Sequence, residues 1–146
     1  MSERIPISKV VEHLFANIDK IKTVNEWSQV SGYSKTYFLH KTQIYYGATP
    51  ENLLRSIRLM KILEELHENP QKISYAIARD VGLNDDNSLC YFVKRYFGIT
   101  PLKLKKKVRD YSNYVKIINK VCDDYGVAFN RYALDYVTVH DKRLVA

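Results

Sequence analysis

The most informative part of the chain is residues 77–106, which read IARDVGLNDDNSLCYFVKRYFGITPLKLKK. An amphipathic segment ends at Gly82, polar residues follow it, and a second amphipathic segment runs to Gly98. Glycine adopts the left-handed backbone conformation that a helix end needs before a sharp turn. Thr100-Pro101 is typical of the N-cap and first position of another helix. The stretch therefore predicts a helix, a tight turn, a second helix and the start of a third.

A copy of this unit precedes it in the chain. Residues 47–50 (GATP) recur as residues 98–101 (GITP) at an offset of 51. Residues 30–33 (VSGY) correspond to residues 80–83 (DVGL) at an offset of 50. Two copies of one helix-turn-helix unit are the economical explanation of these offsets.

The second helix of each unit has a predicted core face and a predicted outer face. Ser34 in the first copy, and Asp85 or Asp86 in the second, are candidate N-caps of this helix, and Ser74 is a candidate cap of the helix before it. The predicted core face carries Phe38 and Thr42 in the first copy and Leu89 and Val93 in the second. A spacing of four keeps both residues of each pair on the same side of the helix. The opposite face carries Thr36, Leu39, His40 and Gln43 in the first copy and Asn87, Cys90, Tyr91 and Lys94 in the second.

The remaining periodicity predicts an all-α protein. Residues 50–68 carry apolar side chains at helical spacing, which predicts a continuous linker helix of roughly 27 Å at 1.5 Å per residue. An N-terminal apolar stripe predicts a helix in front of the first unit, and Trp27 is expected in the core. The predicted helices cover residues 8–20, 24–31, 35–46, 50–68, 74–81, 86–97 and 101–109. The fold class is thus two helix-turn-helix subdomains, at about 24–46 and 74–97, joined by the linker helix.

Positive charge is concentrated in one part of the sequence. The net charge of the chain is +7, and residues 86–109 contribute +6 of it, with seven basic residues and one acidic residue. The basic residues of this segment are Lys94, Arg95, Lys103, Lys105, Lys106, Lys107 and Arg109. Such a density is suited to neutralising the phosphates of a nucleic acid. A solvated basic face that binds nothing is the alternative. A membrane surface is less favoured, because no bulky apolar face flanks the run.

Other classes of protein have little support in the sequence. Cys90 and Cys122 lie 32 residues apart outside any ligand motif, which indicates reduced core or interface thiols. The four histidines are scattered, so neither a structural zinc nor another cofactor is expected. The N-terminus has charges on both sides of a short apolar stretch, which indicates a cytoplasmic protein. We find no phosphate loop, nucleophile elbow or HExxH motif, so an enzyme is not expected.

The order of these motifs resembles the DNA-binding domain of AraC/XylS transcription regulators over about residues 8–108. The run RLMKILEEL at 58–66 is similar to the linker helix of the family, and SGYSKTYF at 31–38 to its first turn and recognition helix. The matching residues of the second unit are Ile77-Ala78, Val81-Gly82, Asp85, Asn87-Ser88, Lys94-Arg95, Phe97-Gly98 and Thr100-Pro101.

The resemblance implies that the two recognition helices enter adjacent major-groove turns of double-stranded DNA. It also implies a transcription activator that touches RNA polymerase. His40 and Tyr91 replace an arginine common in the recognition helices of the family, which predicts a different base preference or weaker base contacts. The candidate DNA-contacting residues are Ser34, Lys35, Thr36, Leu39, His40, Gln43, Asp86, Asn87, Ser88, Tyr91, Lys94, Arg95, Lys103 and Lys105.

Two questions stay open at this point. Residues 1–109 are predicted to form the DNA-binding domain, and residues 110–146 a helical extension with a stop at Gly126. This extension either covers the apolar back of the domain or forms a homodimer or other partner contact, and Val137-Thr138-Val139 is a candidate strand. The rival to DNA binding is a degenerate helix-turn-helix protein whose partner is another regulator.

Overall fold

A computed structural model describes residues 3–126 of the chain. All regular structure in this range is helical, as the sequence predicted. A 3-10 turn at Ile7–Lys9 precedes the first α-helix. The α-helices are α1 (Val10–Ala16), α2 (Val24–Ser31), α3 (Lys35–Tyr46), α4 (Pro50–Glu68), α5 (Ser74–Asp80), α6 (Asp86–Phe97), α7 (Pro101–Val108) and α8 (Tyr111–Tyr125).

The helices begin where the sequence has capping side chains. Ser34 accepts a hydrogen bond from the backbone amide of Tyr37, and Thr49 and Thr100 accept the equivalent bonds from the amides three residues further on. Asp85, rather than Asp86, caps α6 by accepting from the backbone amide of Ser88. This bond lowers the pKa of the Asp85 carboxyl, because it stabilises the charged form.

Two predictions about helix ends were wrong. Helix α1 ends at Ala16 rather than at residue 20, because Asn17 donates its side-chain amide to the carbonyl of His13 at 2.9 Å and starts a turn. Ser74 does not cap α5: the extended residue before the helix is Ile73, which has no capping side chain, and Ser74 is already helical.

Helix α4 is the centre of the structure. Twelve of its 19 residues are buried, among them the fully buried Leu53, Ile57 and Leu63. It contacts α1, α2 and α3 on one side, and α7 and α8, which follow the second unit, on the other. Nearly all buried apolar side chains of the described residues form one cluster with it. Trp27 is part of this core, as predicted, and its indole donates to the carbonyl of Val10 at 3.2 Å. The linker helix therefore packs directly on the first unit, and α7, which contacts both α4 and α6, connects it to the second.

Helix α8 packs against α4 and ends at Tyr125, directly before Gly126, the predicted stop. Its inner face buries Tyr114, Ile118 and Val121 in the same core cluster. The sequence left two roles open for the extension. Residues 111–125 have the first of them, because they cover the apolar back of the domain. The candidate strand at residues 137–139 and the rest of the extension lie outside the described residues.

Arg58 of α4 ties the turn of the second unit to the segment that precedes the first unit. Its Nε donates to the carbonyl of Val81, in the turn of the second unit, at 2.9 Å, and its Nη2 donates to the carbonyl of Ile21, before α2, at 3.0 Å. Only 6% of the surface of this residue is exposed. Burial lowers the pKa of the guanidinium to about 10, so Arg58 stays protonated at neutral pH. The Lys22 ammonium adds a second link by donating to the Asn84 amide oxygen at 3.1 Å.

Candidate nucleic-acid interface

Helix α3 presents the outer face that the sequence predicted. Phe38 and Thr42 are fully buried, and the Trp27 ring packs edge-on against Phe38 with centroids 4.8 Å apart. The Thr42 hydroxyl donates to the Phe38 carbonyl at 2.8 Å, which explains how a polar residue is accommodated in this core. The exposed residues of the helix include Lys35, Thr36, Leu39, His40 and Gln43.

Helix α6 repeats this arrangement 51 positions later. Leu89 and Val93 are fully buried. The exposed residues include Asp86, Asn87, Tyr91, Lys94 and Arg95, whereas Cys90 and Ser88 are half-buried. The Arg95 guanidinium donates to the Tyr91 hydroxyl at 3.0 Å, one helical turn away. Because 66% of the Tyr91 surface is exposed, the Tyr91 and Arg95 side chains form a joint surface feature of this helix.

The remaining candidates lie at the start of α3 and on α7. Ser34 is exposed, but its side-chain oxygen is engaged in capping α3. Lys103 is exposed in the first turn of α7. Lys105 is half-buried, and its ammonium donates to the Pro70 carbonyl at 2.7 Å, so an internal partner holds it. Lys103 is consequently the better candidate for a phosphate contact of the two.

A basic cleft between the two units was missed from the sequence. It has a volume of about 390 Å³, and α4 contributes Arg55 and Arg58 to it. Lys22 and Lys35 line it as well. Counting charges along the chain could not reveal this cluster, because its four basic residues are spread over residues 22–58 and belong to two helices and the loop before α2. The only local signal is the spacing of three between Arg55 and Arg58, which puts both on neighbouring parts of one helix face.

Arg4 is another basic residue that the sequence did not single out. Its guanidinium lies over the rings of Tyr33 and Tyr37, 5.2 Å and 5.7 Å from their centroids. Its Nε donates to the carbonyl of Gly32 in the first turn at 3.3 Å. The N-terminal segment thus adds a cation beside the first recognition helix.

The described residues, 3–126, also bear on two further features, a metal-binding cluster and a membrane-spanning helix. Residues 3–126 hold no cluster of three His, Cys, Asp or Glu side chains able to bind a metal ion. Among these residues, no helix is both long enough and apolar enough to cross a membrane.

A family model described as a helix-turn-helix domain matches residues 27–107, which is more than half of the chain and includes the second unit and most of the first. The chain belongs to the AraC-type helix-turn-helix family. It is accordingly a DNA-binding transcription regulator of the AraC type.

A solved structure with the same fold is the C-terminal domain of AraT, a response regulator from Geobacillus stearothermophilus. The similarity has a TM-score of 0.59 at 19% sequence identity and covers 72% of this chain and 88% of that domain. At this identity the likeness concerns the fold alone. A comparison with curated proteins gave no significant match.

Proposed function

We propose that this AraC-type chain binds specific sequences of double-stranded DNA by placing α3 and α6 in adjacent major-groove turns. One observation carries the proposal: each unit buries one face of its second helix in a shared core and leaves the opposite face, with hydrogen-bonding side chains, exposed. Both faces belong to units joined through α4, so their separation is fixed before DNA is bound. Two recognition helices held at a fixed separation fit two half-sites about one helical turn apart.

The two recognition helices have different side chains for contacting bases. Helix α3 offers His40 and Gln43, and α6 offers Asn87, whose amide can pair with adenine through two hydrogen bonds. Leu39, with 43% of its surface exposed, suits a thymine methyl group. The half-sites are therefore expected to differ in sequence, and one chain is sufficient to contact both.

Regulation is expected to be activation through contact with RNA polymerase, as the family resemblance implies. Run-off transcription with purified polymerase and a promoter that carries the selected site tests this expectation. An increase in transcript on adding the protein supports activation, whereas a decrease indicates repression. Whether the chain forms a homodimer is tested separately by sedimentation of the free protein.

The proposal of DNA binding is tested by selecting bound sequences from a random duplex pool and then measuring affinity against salt. We expect a consensus with two parts about one helical turn apart and an affinity that falls linearly on a log-log salt plot. The alternative is a protein partner, which the exposed Tyr91 and Ile44 favour, since both are large and largely apolar. Absence of duplex binding at about 50 mM salt would reject DNA as the ligand in favour of that alternative.

A further inference from the structure

The basic cleft between the two units lies next to both recognition helices. Lys35, the first residue of α3, forms part of its wall, and Phe92 of α6 forms another part. The floor is the first half of α4, with Leu54, Arg55 and Arg58. A ligand in the cleft would therefore contact both units and the helix that joins them.

The cleft carries a net positive charge that the protein does not neutralise. Lys22, Lys35, Arg55 and Arg58 line it against a single acidic residue, Glu51. None of these five side chains takes part in an ion pair within residues 3–126. A buried cation without a carboxylate is costly, and an anion placed nearby reduces that cost.

Arg58 makes this an assembled site rather than a group of surface cations. It is more than nine-tenths buried, and its hydrogen bonds to the Val81 and Ile21 carbonyls use Nε and Nη2. Neither bond uses Nη1. The guanidinium is thus fixed by the fold and still lines the cleft.

The geometry of B-DNA identifies the anion, if the proposed function holds. When two recognition helices occupy adjacent major-groove turns on one face, the minor groove halfway between them faces the protein. Both phosphate backbones border that groove. Because the cleft lies between α3 and α6, these backbones are the negative groups nearest to it.

We propose that the cleft binds phosphates of the DNA backbone along the minor groove between the two recognition sites, with Arg55 as the principal contact and Lys22 and Arg58 in support. Arg55 is exposed, and its planar guanidinium can bind a phosphate through two parallel hydrogen bonds. A contact of this kind positions the duplex without selecting bases.

The first test compares Arg55→Ala with Lys116→Ala on a selected site and on an unrelated duplex. Lys116 is an exposed residue of α8 outside the cleft, so its loss is a matched control for net charge. We expect Arg55→Ala alone to reduce the salt slope by about 0.9, because one phosphate contact is lost. Between about 50 and 200 mM salt this makes the fall in affinity roughly 3.5-fold smaller. The change should be equal on both duplexes, and the selected consensus should stay the same.

The second test places neutral methylphosphonate linkages in the selected site, on the strands that border the central minor groove. These linkages should weaken binding of the wild type and of Lys116→Ala, and they should have little further effect on Arg55→Ala, because the same contact is already lost. Circular dichroism of each variant confirms that it is folded.

The outcomes separate this proposal from the proposed function. If the wild type binds a selected duplex but Arg55→Ala behaves as Lys116→Ala in both tests, the cleft proposal is overturned and DNA binding stands. If the wild type binds no duplex, both fail. A third result is that millimolar inorganic phosphate stabilises the wild type against heat, that Arg55→Ala abolishes this effect, and that Arg55→Ala leaves the salt slope on DNA unchanged. This result would assign the cleft to a free phosphate compound and overturn its assignment to DNA.

Discussion

Replacing Gly82 by alanine, and comparing it with the same change at Gly98, should separate the cost of a left-handed backbone from the cost of a steric collision. Gly82 lies in the turn of the second unit with a φ of 84°, in the left-handed region. A methyl group built on its Cα would collide with the backbone carbonyl oxygen of Ile18 and lie 3.3 Å from the Arg58 guanidinium. Gly98 also has a left-handed φ, of 73°, but a methyl group there meets no other atom within 4 Å. Gly98→Ala is therefore a matched control for the conformational cost alone.

The magnitudes follow from these surroundings. A left-handed conformation costs a non-glycine residue about 1–2 kcal/mol, and the lower entropy of the unfolded alanine chain offsets about 0.4–1 kcal/mol of it. We expect Gly98→Ala to lower the free energy of unfolding by about 1 kcal/mol. Gly82→Ala must also displace packed backbone, which costs a further 1–3 kcal/mol or so, for a total of about 3 kcal/mol.

Urea unfolding followed by circular dichroism measures both losses, and melting temperatures should fall by on the order of 3 °C per kcal/mol. A difference of under about 0.5 kcal/mol between the two variants would be within the range of ordinary surface substitutions. That result would refute the close approach of the Ile18 carbonyl to the turn, and with it the packing of the N-terminal segment against the second unit.

Three further predictions concern the core, base recognition and pH. Ile118→Ala should lower the free energy of unfolding by about 2–4 kcal/mol, because α8 belongs to the core. Lys116→Ala on the same helix should change it by less than about 0.5 kcal/mol. Equal effects of the two substitutions in urea unfolding would contradict the packing of α8 on α4. Asn87→Ala should change base preference in one half-site by about 1–3 kcal/mol, whereas Lys103→Ala should weaken binding to all sequences alike. An unchanged consensus for Asn87→Ala in pool selection would show that another face of α6 contacts the bases. Since the folded state lowers the pKa of Asp85 from its ordinary value of 3.8, the stability that this charge provides is present above that pH and lost as the pH falls below it. Melting temperatures at neutral and acidic pH should therefore show a smaller acid-induced loss for Asp85→Ser, which keeps a capping oxygen, and an unchanged loss would argue against the charged cap.

Much of the helical framework was predictable because its signals are local. Thr49-Pro50 and Thr100-Pro101 start α4 and α7 as predicted, since a capping bond joins a side chain to an amide only three residues away. The inward positions of Phe38 and Val93 followed from periodicity along one helix. The same local logic failed at α1, where the apolar stripe extends to Ile18 although Asn17 has already ended the helix.

The sequence by itself determined the all-α class, the two helix-turn-helix units and the outer faces of α3 and α6, because capping, helix periodicity and the repeat are properties of neighbouring residues. Only the tertiary structure decided how the units are held together. Arg58 reaches the Ile21 carbonyl across 37 residues, and the same helical pattern is compatible with many placements of one helix against another. The basic cleft and the burial of α8 depend on that placement. For this reason the charge run at residues 86–109 was visible in the sequence, and the cluster around Arg55 was visible only in the fold.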